Sequence, residues 1–308
     1  MDYLMIESIL TRGMAAATPL LFAATGEIIA ERSGVLNLGV EGMMAVGAVT
    51  GFAVATATGN LGLAVVAAAL AAMAVSAIHG FISVALLGNQ VVSGLALTMF
   101  GLGLSGLIGK PFIGRSAPVR FMPVDSSILS DLPILGPVMF EQDPLCYLAF
   151  GLALLTWVFI YYTRWGISLR AAGEHPLACE SMGHSVVLIR WLATLFGGAC
   201  AGLAGAYLSL AYSASWIEGM TAGRGWIVIA LTIFSAWNPL RAAWGACLFG
   251  GVYVLQYVLQ NKGIAPNILM MLPYVTTLFV LVLGATKKNR RRFTAPVALG
   301  EAFHREMR

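Results

Sequence analysis

The sequence predicts an all-α membrane protein with about 8–10 transmembrane helices, and two observations carry this prediction. First, 59% of the 308 residues are hydrophobic and only 10% are charged, whereas soluble domains carry roughly a quarter charged residues. Second, apolar runs of roughly 20 residues, long enough to cross a bilayer as a helix, recur along the chain. The alternating pattern of a membrane β-barrel is absent from the sequence. We therefore expect one multi-pass domain over residues 1–308.

The candidate spans are apolar segments separated by short polar or glycine-rich stretches. Their approximate bounds are 14–30, 43–57, 61–87, 91–108, 145–162, 191–212, 226–237, 242–259 and 268–285. The chain contains 35 glycines, which suits such a protein because small residues let membrane helices approach closely. In the segment 191–212, the pairs Gly198/Gly202 and Ala201/Gly205 predict tight helix packing.

Glycine-rich breaks interrupt the apolar pattern at residues 31–44 and 213–225. Each break follows a span rich in small residues and precedes a span, a tight turn and further apolar segments. Counting the spans puts the two breaks on opposite sides of the membrane, which predicts two repeats of inverted topology. Broken helices expose backbone N–H and C=O groups that can bind a polar substrate, so these breaks are the candidate transport path.

Four side chains near the breaks are candidates for contact with a substrate: Asn37, Glu41, Arg224 and Trp226. The ring of Trp226 offers a surface on which a base can stack. The alternative is structural, with Glu41 and Arg224 paired to each other and Trp226 acting as an anchor at the membrane interface.

Three polar stretches separate or follow the spans. Residues 109–143 contain five prolines and four acidic residues, and we expect an external loop of irregular structure. The segment 164–190 is predicted to be a cytoplasmic loop, and residues 286–308 a basic cytoplasmic tail that is polar and mobile. This orientation places twelve basic residues inside and six outside, as the positive-inside rule requires.

A short helix is predicted within the segment 164–190. Gly173 offers a hinge before it, Pro176 suits the first helical position, and Gly183 is a good stop signal. The predicted helix therefore covers residues 176–182.

Enzyme chemistry is not supported by the sequence. A P-loop is absent, since GLIGKP at 106–111 has the wrong glycine spacing and a proline after the lysine. The motifs HExxH and GxSxG are also absent, and we find no carboxylates paired at helical spacing within the predicted spans. No catalytic residue and no metal site is therefore expected. The four cysteines are scattered and are interpreted as structural: Cys146, Cys179, Cys200 and Cys247.

An ion-coupled carrier usually holds ionisable residues inside its spans, and this chain offers few of them. Glu27 and His79 are the candidates, and both lie near the end of a predicted span. We interpret His79 as a packed or hydrogen-bonded polar residue. Because the spans hold few ionisable residues and the chain has no P-loop, we expect another protein to supply the energy for transport.

Six strings occur along the chain in one order: ERSGVLNLGVEGMMAVGA, QVVSGLALTMFGLG, LRAAGEHPLACESMGHSVVLIRW, GGACAGLAGAYLSL, AGRGWIVIALTIF and LPYVTTLFVLV. In this order they resemble the permease subunits of ABC importers for nucleosides and simple sugars, a group related to the branched-chain amino acid permeases. The resemblance covers nearly the whole chain and is strongest to the shorter of two nucleoside permease subunits. The simple-sugar branch more often shows GxDLSxG where this chain has NLGVEG, which favours nucleosides or nucleobases.

The resemblance implies a coupling helix within residues 174–183 that docks on a cytoplasmic ATPase. The residues assigned to this contact are Arg170, Glu174, His175, Pro176, Ala178, Glu180 and Gly183. The alternative is a solvated loop that merely joins two spans. The implied partners are a homologous second permease, the ATPase, an external substrate-binding lipoprotein and membrane lipids, with no nucleic acid.

The resemblance also places ATP and Mg²⁺ on the partner ATPase, so no cofactor is expected on this chain. The implied location is the bacterial inner membrane. The alternative functions are a sugar or branched-chain amino acid permease of the same type, or an ion-coupled secondary transporter.

Overall fold

The computed structural model describes residues 3–124, 135–260, 265–284 and 295–304. Its helices are α1 (Tyr3–Arg32), α2 (Val40–Thr58), α3 (Leu61–Gly80), α4 (Gln90–Gly109), α5 (Leu135–Phe140), α6 (Pro144–Tyr162), α7 (Arg164–Glu174), α8 (Pro176–Ser181), α9 (Val186–Tyr207), α10 (Arg224–Phe234), α11 (Pro239–Gln260), α12 (Pro266–Met270) and α13 (Leu272–Gly284). Short π-helical segments extend α3 over Phe81–Ala85 and α9 over Leu208–Tyr212, and a 3₁₀ turn, Lys110–Phe112, extends α4.

Seven of the helices in these ranges are long and apolar enough to cross a membrane. They are α1, α2, α3, α4, α6, α9 and α11, with their extensions. The helix α10 and the last apolar segment are shorter. The last segment is divided at Met271 into α12 and α13, because Pro273 cannot donate the backbone N–H that a continuous helix needs. The prediction of an all-α polytopic membrane protein is confirmed.

Side-chain caps explain where several helices begin. The Oδ1 atom of Asn60 accepts from the backbone N–H of Leu63 at the start of α3, and Asp143 Oδ1 accepts from Cys146 at the start of α6. Such caps satisfy N–H groups that have no partner within the helix. The helix α2 ends at Gly59, which adopts φ 65° in the left-handed region, where glycine is favoured.

The helices α1 and α9 form the centre of the bundle. The helix α1 packs against α9, α11 and α6, and α9 packs against α3, α2 and α1. Small residues permit this approach: a Cβ on Gly205 would lie 2.0 Å from the carbonyl oxygen of Met44 in α2. A Cβ on Gly202 would lie 2.4 Å from the carbonyl oxygen of Ala68 in α3. The tight packing predicted for the segment 191–212 is therefore confirmed.

Corresponding elements of the two halves pack in the same way. The helix α1 and the first break lead into α2 and α3, just as α9 and the second break lead into α10 and α11. The first helix of each half packs against the third helix of the other half: α1 packs against α11, and α9 packs against α3. This exchange of partners is the arrangement expected of two repeats.

The loop 109–143 contains more regular structure than predicted, where it is described. It includes the 3₁₀ turn and α5, and part of it bonds to the second break and to the π-helical end of α9. The backbone N–H of Ala117 donates to Ala214 O at 2.9 Å, and that of Phe121 donates to Leu210 O at 3.1 Å. Residues 125–134 of the predicted loop lie outside the described residues.

Candidate transport path and coupling segment

The two predicted breaks meet inside the bundle, where the N-termini of α2 and α10 approach each other. Glu41, in the first turn of α2, accepts hydrogen bonds from the backbone N–H groups of Gly223 and Gly225 at 2.8 and 2.5 Å. A Cβ on Gly225 would lie 2.5 Å from the backbone nitrogen of Glu41, so the two helix starts are in direct contact. An acidic side chain at a helix N-terminus is stabilised by the helix dipole and by free N–H groups.

Arg224 lies beside this junction among tyrosine side chains. Its guanidinium group lies 5.6 Å from the ring centroid of Tyr212 and 5.0 Å from that of Tyr253, within the range of a cation–π contact. Its Nη1 donates to the carbonyl oxygens of Met220 and Thr221 at 2.8 and 3.3 Å. Glu41 thus bonds to backbone N–H groups and Arg224 to backbone carbonyl oxygens, and the described contacts do not include the bond between these two side chains that the structural alternative supposed.

Trp226 follows in the first turn of α10, with 40% of its side chain exposed. Asn37 is fully buried and organises the first break. Its Oδ1 accepts from the backbone N–H of Gly39 at 2.9 Å, and its Nδ2 donates to Glu27 Oε2 at 3.5 Å. The described contacts of Asn37 therefore lie within the first break and α1, whereas Glu41 bridges the two breaks.

A buried pair of carboxylic acids was missed at the sequence level. Glu27 and Glu31 are spaced by one helical turn on α1, and both are fully buried. Glu31 accepts a hydrogen bond from the indole Nε1 of Trp237, and Glu27 Oε1 has no hydrogen-bond partner among the residues that the structure describes. The predicted first span ended at Ala30 and so excluded Glu31, whereas α1 continues to Arg32. The expectation that the spans hold no paired carboxylates is wrong.

His79 is a satisfied buried residue, as predicted. Its ring nitrogens lie 3.0 Å from Ser93 Oγ and 3.1 Å from the carbonyl oxygen of Leu36. Leu36 belongs to the first break, so His79 fixes that break against α3 and α4.

The segment 164–190 contains two helices, α7 and α8, followed by the start of α9. The short helix predicted at 176–182 is present as α8, which begins at Pro176 and is followed by Gly183 with φ 86°. Gly173 is not the hinge, because it lies inside α7. There a Cβ would come within 2.2 Å of the carbonyl oxygen of Arg32, and the chain turns instead at His175, with φ −142° and ψ 77°.

The residues assigned to ATPase contact divide into two groups. Three side chains turn toward the protein: Arg170 lies 5.4 Å from the ring centroid of Tyr161, and Glu174 and Glu180 accept from backbone N–H groups. His175, Ala178 and Gly183 are exposed, and Pro176 is half-buried.

Two exposed apolar residues in α8 and directly after it were overlooked at the sequence level. The side chains of Leu177 and Met182 are 54% and 79% exposed. A partner surface usually covers apolar and methionine side chains of this kind. Their position at a short helix within a polar loop could have indicated such a contact surface from the sequence.

Arg190 lies near the N-terminus of α9 and is fully buried. It was predicted as one of the charges of a polar loop, but its Nε donates to Ser33 O at 3.2 Å and its Nη1 to Glu301 O at 2.8 Å. It therefore joins the first break to the end of the chain.

Within the described parts of the chain, no group of three or more His, Cys, Asp or Glu side chains is placed to hold a metal ion. The four cysteines are free thiols. Cys179 in α8 is buried, and its burial raises the pKa of its thiol.

A bundle of apolar helices built around two broken helices is the architecture of a membrane transport protein. The chain belongs to the permease family described as "Branched-chain amino acid transport system / permease component", which it matches over residues 9–281. It is accordingly an ABC transporter permease, a multi-pass protein of the cell membrane.

Similar proteins include permeases for different substrates. A putative glucose ABC transporter permease of Haloferax volcanii is 39% identical, over 97% of this chain and 98% of the relative. A guanosine ABC transporter permease of Bacillus subtilis is 32% identical, over 91% and 93% of the two chains. A nucleoside ABC transporter permease of Lactococcus lactis is 32% identical, over 90% and 92%. No solved structure matches the chain.

Proposed function

We propose that this chain is the membrane subunit of an ATP-driven importer that carries nucleosides or nucleobases. The observation that carries the proposal is the junction of the two breaks, where Glu41 of α2 bonds to the N-terminus of α10. A movement of either half of the bundle must change this junction, which is the behaviour required of an alternating-access path.

The side chains around the junction suit an uncharged polar ring. The guanidinium of Arg224 is stacked on tyrosine rings, and Trp226, two residues further along α10, presents an exposed indole on a different face of that helix. Aromatic and guanidinium faces stack on nucleobases with about 1–3 kcal/mol per base. Asn37 supports this surface indirectly, because it holds the fold of the first break.

A second candidate substrate is a simple sugar. The glucose-permease relative is 39% identical over nearly the full length, whereas the nucleoside relatives are 32% identical. Aromatic side chains also cover sugar rings, so the stacking surface fits both substrates. The motif NLGVEG in the first break is the feature that favours nucleosides.

The energy source in this proposal is a partner ATPase that binds ATP and Mg²⁺. Leu177 in α8 and Met182, which follows α8 directly, present exposed apolar side chains, flanked by the exposed residues His175, Ala178 and Gly183. The same helix is anchored by Glu180, whose carboxylate accepts from the backbone N–H of Val186. An exposed apolar face on a firmly held helix suits a contact that transmits movement.

A pull-down of the tagged permease from native membranes tests the assembly. We expect a second permease, an ATPase and an extracytoplasmic binding protein to co-purify. Ligands extracted from the binding protein then decide between nucleosides and sugars by mass spectrometry. Purification of the permease alone, from membranes in which it supports uptake, would contradict the proposed assembly.

Substitutions on α8 test the coupling surface. Leu177→Asp and Met182→Asp should each release the ATPase and stop uptake, because they place a charge in an apolar contact. Leu177→Met and Met182→Leu are the matched controls and should retain both properties. Replacement of Glu174–Glu180 by a Gly/Ser linker should stop uptake with normal membrane insertion. Full uptake by that linker variant excludes a coupling role.

A further inference from the structure

The last described segment of the chain, residues 295–304, packs against the coupling segment. The backbone N–H of Ala298 donates to the carbonyl oxygen of Gly173 at 2.9 Å. The neighbouring N–H of Val297 donates to Glu174 Oε2 at 3.4 Å. These bonds attach the segment to the end of α7, immediately before α8. The prediction of a mobile tail is therefore wrong for residues 295–304, and residues 285–294 and 305–308 lie outside the described residues.

The same segment is also bonded to the first break. The backbone N–H of Gly300 donates to the carbonyl oxygen of Gly34 at 3.2 Å. Gly34 has φ 95°, and a Cβ there would lie 2.7 Å from Arg190 Nη2 and 3.1 Å from Ala298 O. The contact thus needs glycine at position 34, both for its backbone conformation and for space.

Buried polar side chains hold the carbonyl oxygen of Glu301. Arg190 Nη1 donates to this oxygen at 2.8 Å, while Arg190 Nε donates to Ser33 O in the first break. Gln90 Nε2 lies 3.4 Å from the same oxygen, and Gln90 Oε1 accepts from the backbone N–H of Leu36 at 2.7 Å. Both side chains therefore bond the segment and the first break at once. Two of the three guanidinium nitrogens of this buried arginine are paired in this way, and leaving them unpaired would be costly.

The aromatic ring at the end of the segment anchors it on α8. Phe303 is buried in a small apolar cluster with Ala172 of α7, Cys179 of α8 and Val186 of α9. The sequence carries a signal for this contact, because the apolar string APVALGEAF follows the basic run KKNRRR. Apolar residues after such a run are unnecessary for a solvated tail.

We propose that residues 295–304 are a strap that makes α8 and the first break move together, with Phe303 and Arg190 as its positioning residues. The proposal rests on the proposed coupling role of α8. Movement imposed on α8 reaches Phe303 through the apolar cluster, and the backbone and Arg190 bonds carry it to residues 33–36. The direct contact of Gly173 in α7 with Arg32 would remain without the strap. Loss of the strap should therefore weaken the coupling between α8 and the first break, while the surface of α8 that contacts the ATPase stays intact.

The test compares Phe303→Ala, Phe303→Leu and Val297→Ala in the reconstituted importer, where Val297 is the exposed control on the same segment. Phe303→Ala should retain the bound ATPase and its ATP hydrolysis, while substrate transported per ATP falls about tenfold, within the usual range of coupling free energies. Phe303→Leu should restore most of the ratio, and Val297→Ala should leave it unchanged. An unchanged transport-to-hydrolysis ratio in Phe303→Ala overturns the strap.

A second measurement detects the contact without relying on transport. In a variant that retains Cys179 but replaces the other three cysteines, maleimide should label Cys179 slowly. Phe303→Ala, or a chain that ends at residue 294, should increase the labelling rate several-fold. Equal rates in all variants contradict docking of the strap. If the parent protein binds no ATPase, the proposed function fails, and the labelling result still decides whether the strap docks.

Discussion

Removal of the Glu41 carboxyl group should disrupt the junction of the two breaks. The side chain is buried, and its oxygens accept from the backbone N–H groups of Gly223 and Gly225 at 2.8 and 2.5 Å. Hydrogen bonds to a charged group contribute about 1.5–3 kcal/mol each, and a buried donor left unpaired costs a similar amount. Glu41→Ala should therefore destabilise the junction by about 3–6 kcal/mol.

The variant Glu41→Gln retains one carbonyl oxygen in place of the two carboxyl oxygens. It keeps one acceptor and places an amide N–H₂ against the second backbone donor. We expect a loss of about 1.5–3 kcal/mol, about half that of the alanine variant. The matched control is Glu218→Ala, because Glu218 is an exposed acidic residue in the second break, which Glu41 contacts.

The assay has two readouts on purified protein in detergent and in proteoliposomes. The temperature at which half of the monodisperse peak is lost should be highest for Glu218→Ala, lower for Glu41→Gln and lowest for Glu41→Ala. Substrate uptake should follow the same order and should be lost in Glu41→Ala. A Glu41→Ala variant with parental thermal stability and uptake would refute the assignment of Glu41 as the link between α2 and α10.

Three further predictions concern packing, the stacked arginine and the buried thiol. Gly205→Ala should lower the heat-denaturation midpoint by the equivalent of about 1–3 kcal/mol, because its Cβ would lie 2.0 Å from Met44 O; Gly251→Ala, with no atom within 4 Å of its Cβ, should not. Arg224→Lys should reduce uptake but retain the co-purified ATPase, because lysine lacks the planar group that stacks on two tyrosine rings; unchanged uptake contradicts this role. Cys179 should react with maleimide more slowly than the unfolded chain at pH values below the ordinary thiol pKa, because burial raises its pKa and lowers the fraction present as thiolate; equal rates contradict the buried position.

The overall class could be predicted from the sequence because membrane spans and breaks depend on local composition. The breaks at 31–44 and 213–225 carry glycines and charges between apolar runs, and the helix after Pro176 has clear start and stop signals. These properties are fixed by neighbouring residues. The packing of Gly202 and Gly205 was predictable for the same reason, since small residues at helical spacing indicate close approach.

The partners of charged residues could not be predicted, because they are separated by long stretches of chain. Glu41 and Gly225 lie 184 residues apart in sequence, and Arg190 and Glu301 lie 111 apart. Composition shows that a buried charge needs a partner, but it does not say which backbone group supplies it. The role of Arg190 as a link, rather than as a loop charge, required the fold.

The boundary of the first span caused a further error. Ending that span at Ala30 separated Glu27 from Glu31, although one continuous helix carries both. Charged residues are usually taken to end a span, but here the helix end is packed inside the protein. Residues 295–304 were assigned to a mobile tail for a similar reason, because the basic run before them dominated the composition.

The most direct test of the central claim is substrate uptake into proteoliposomes that contain the permease pair, the partner ATPase and the binding protein. Uptake should require ATP on the side of the membrane that carries α8, and should cease when the ATPase is omitted. An imposed proton or sodium gradient should not replace ATP. Uptake driven by such a gradient, with no ATPase present, would contradict the assignment of this chain as a subunit powered through α8.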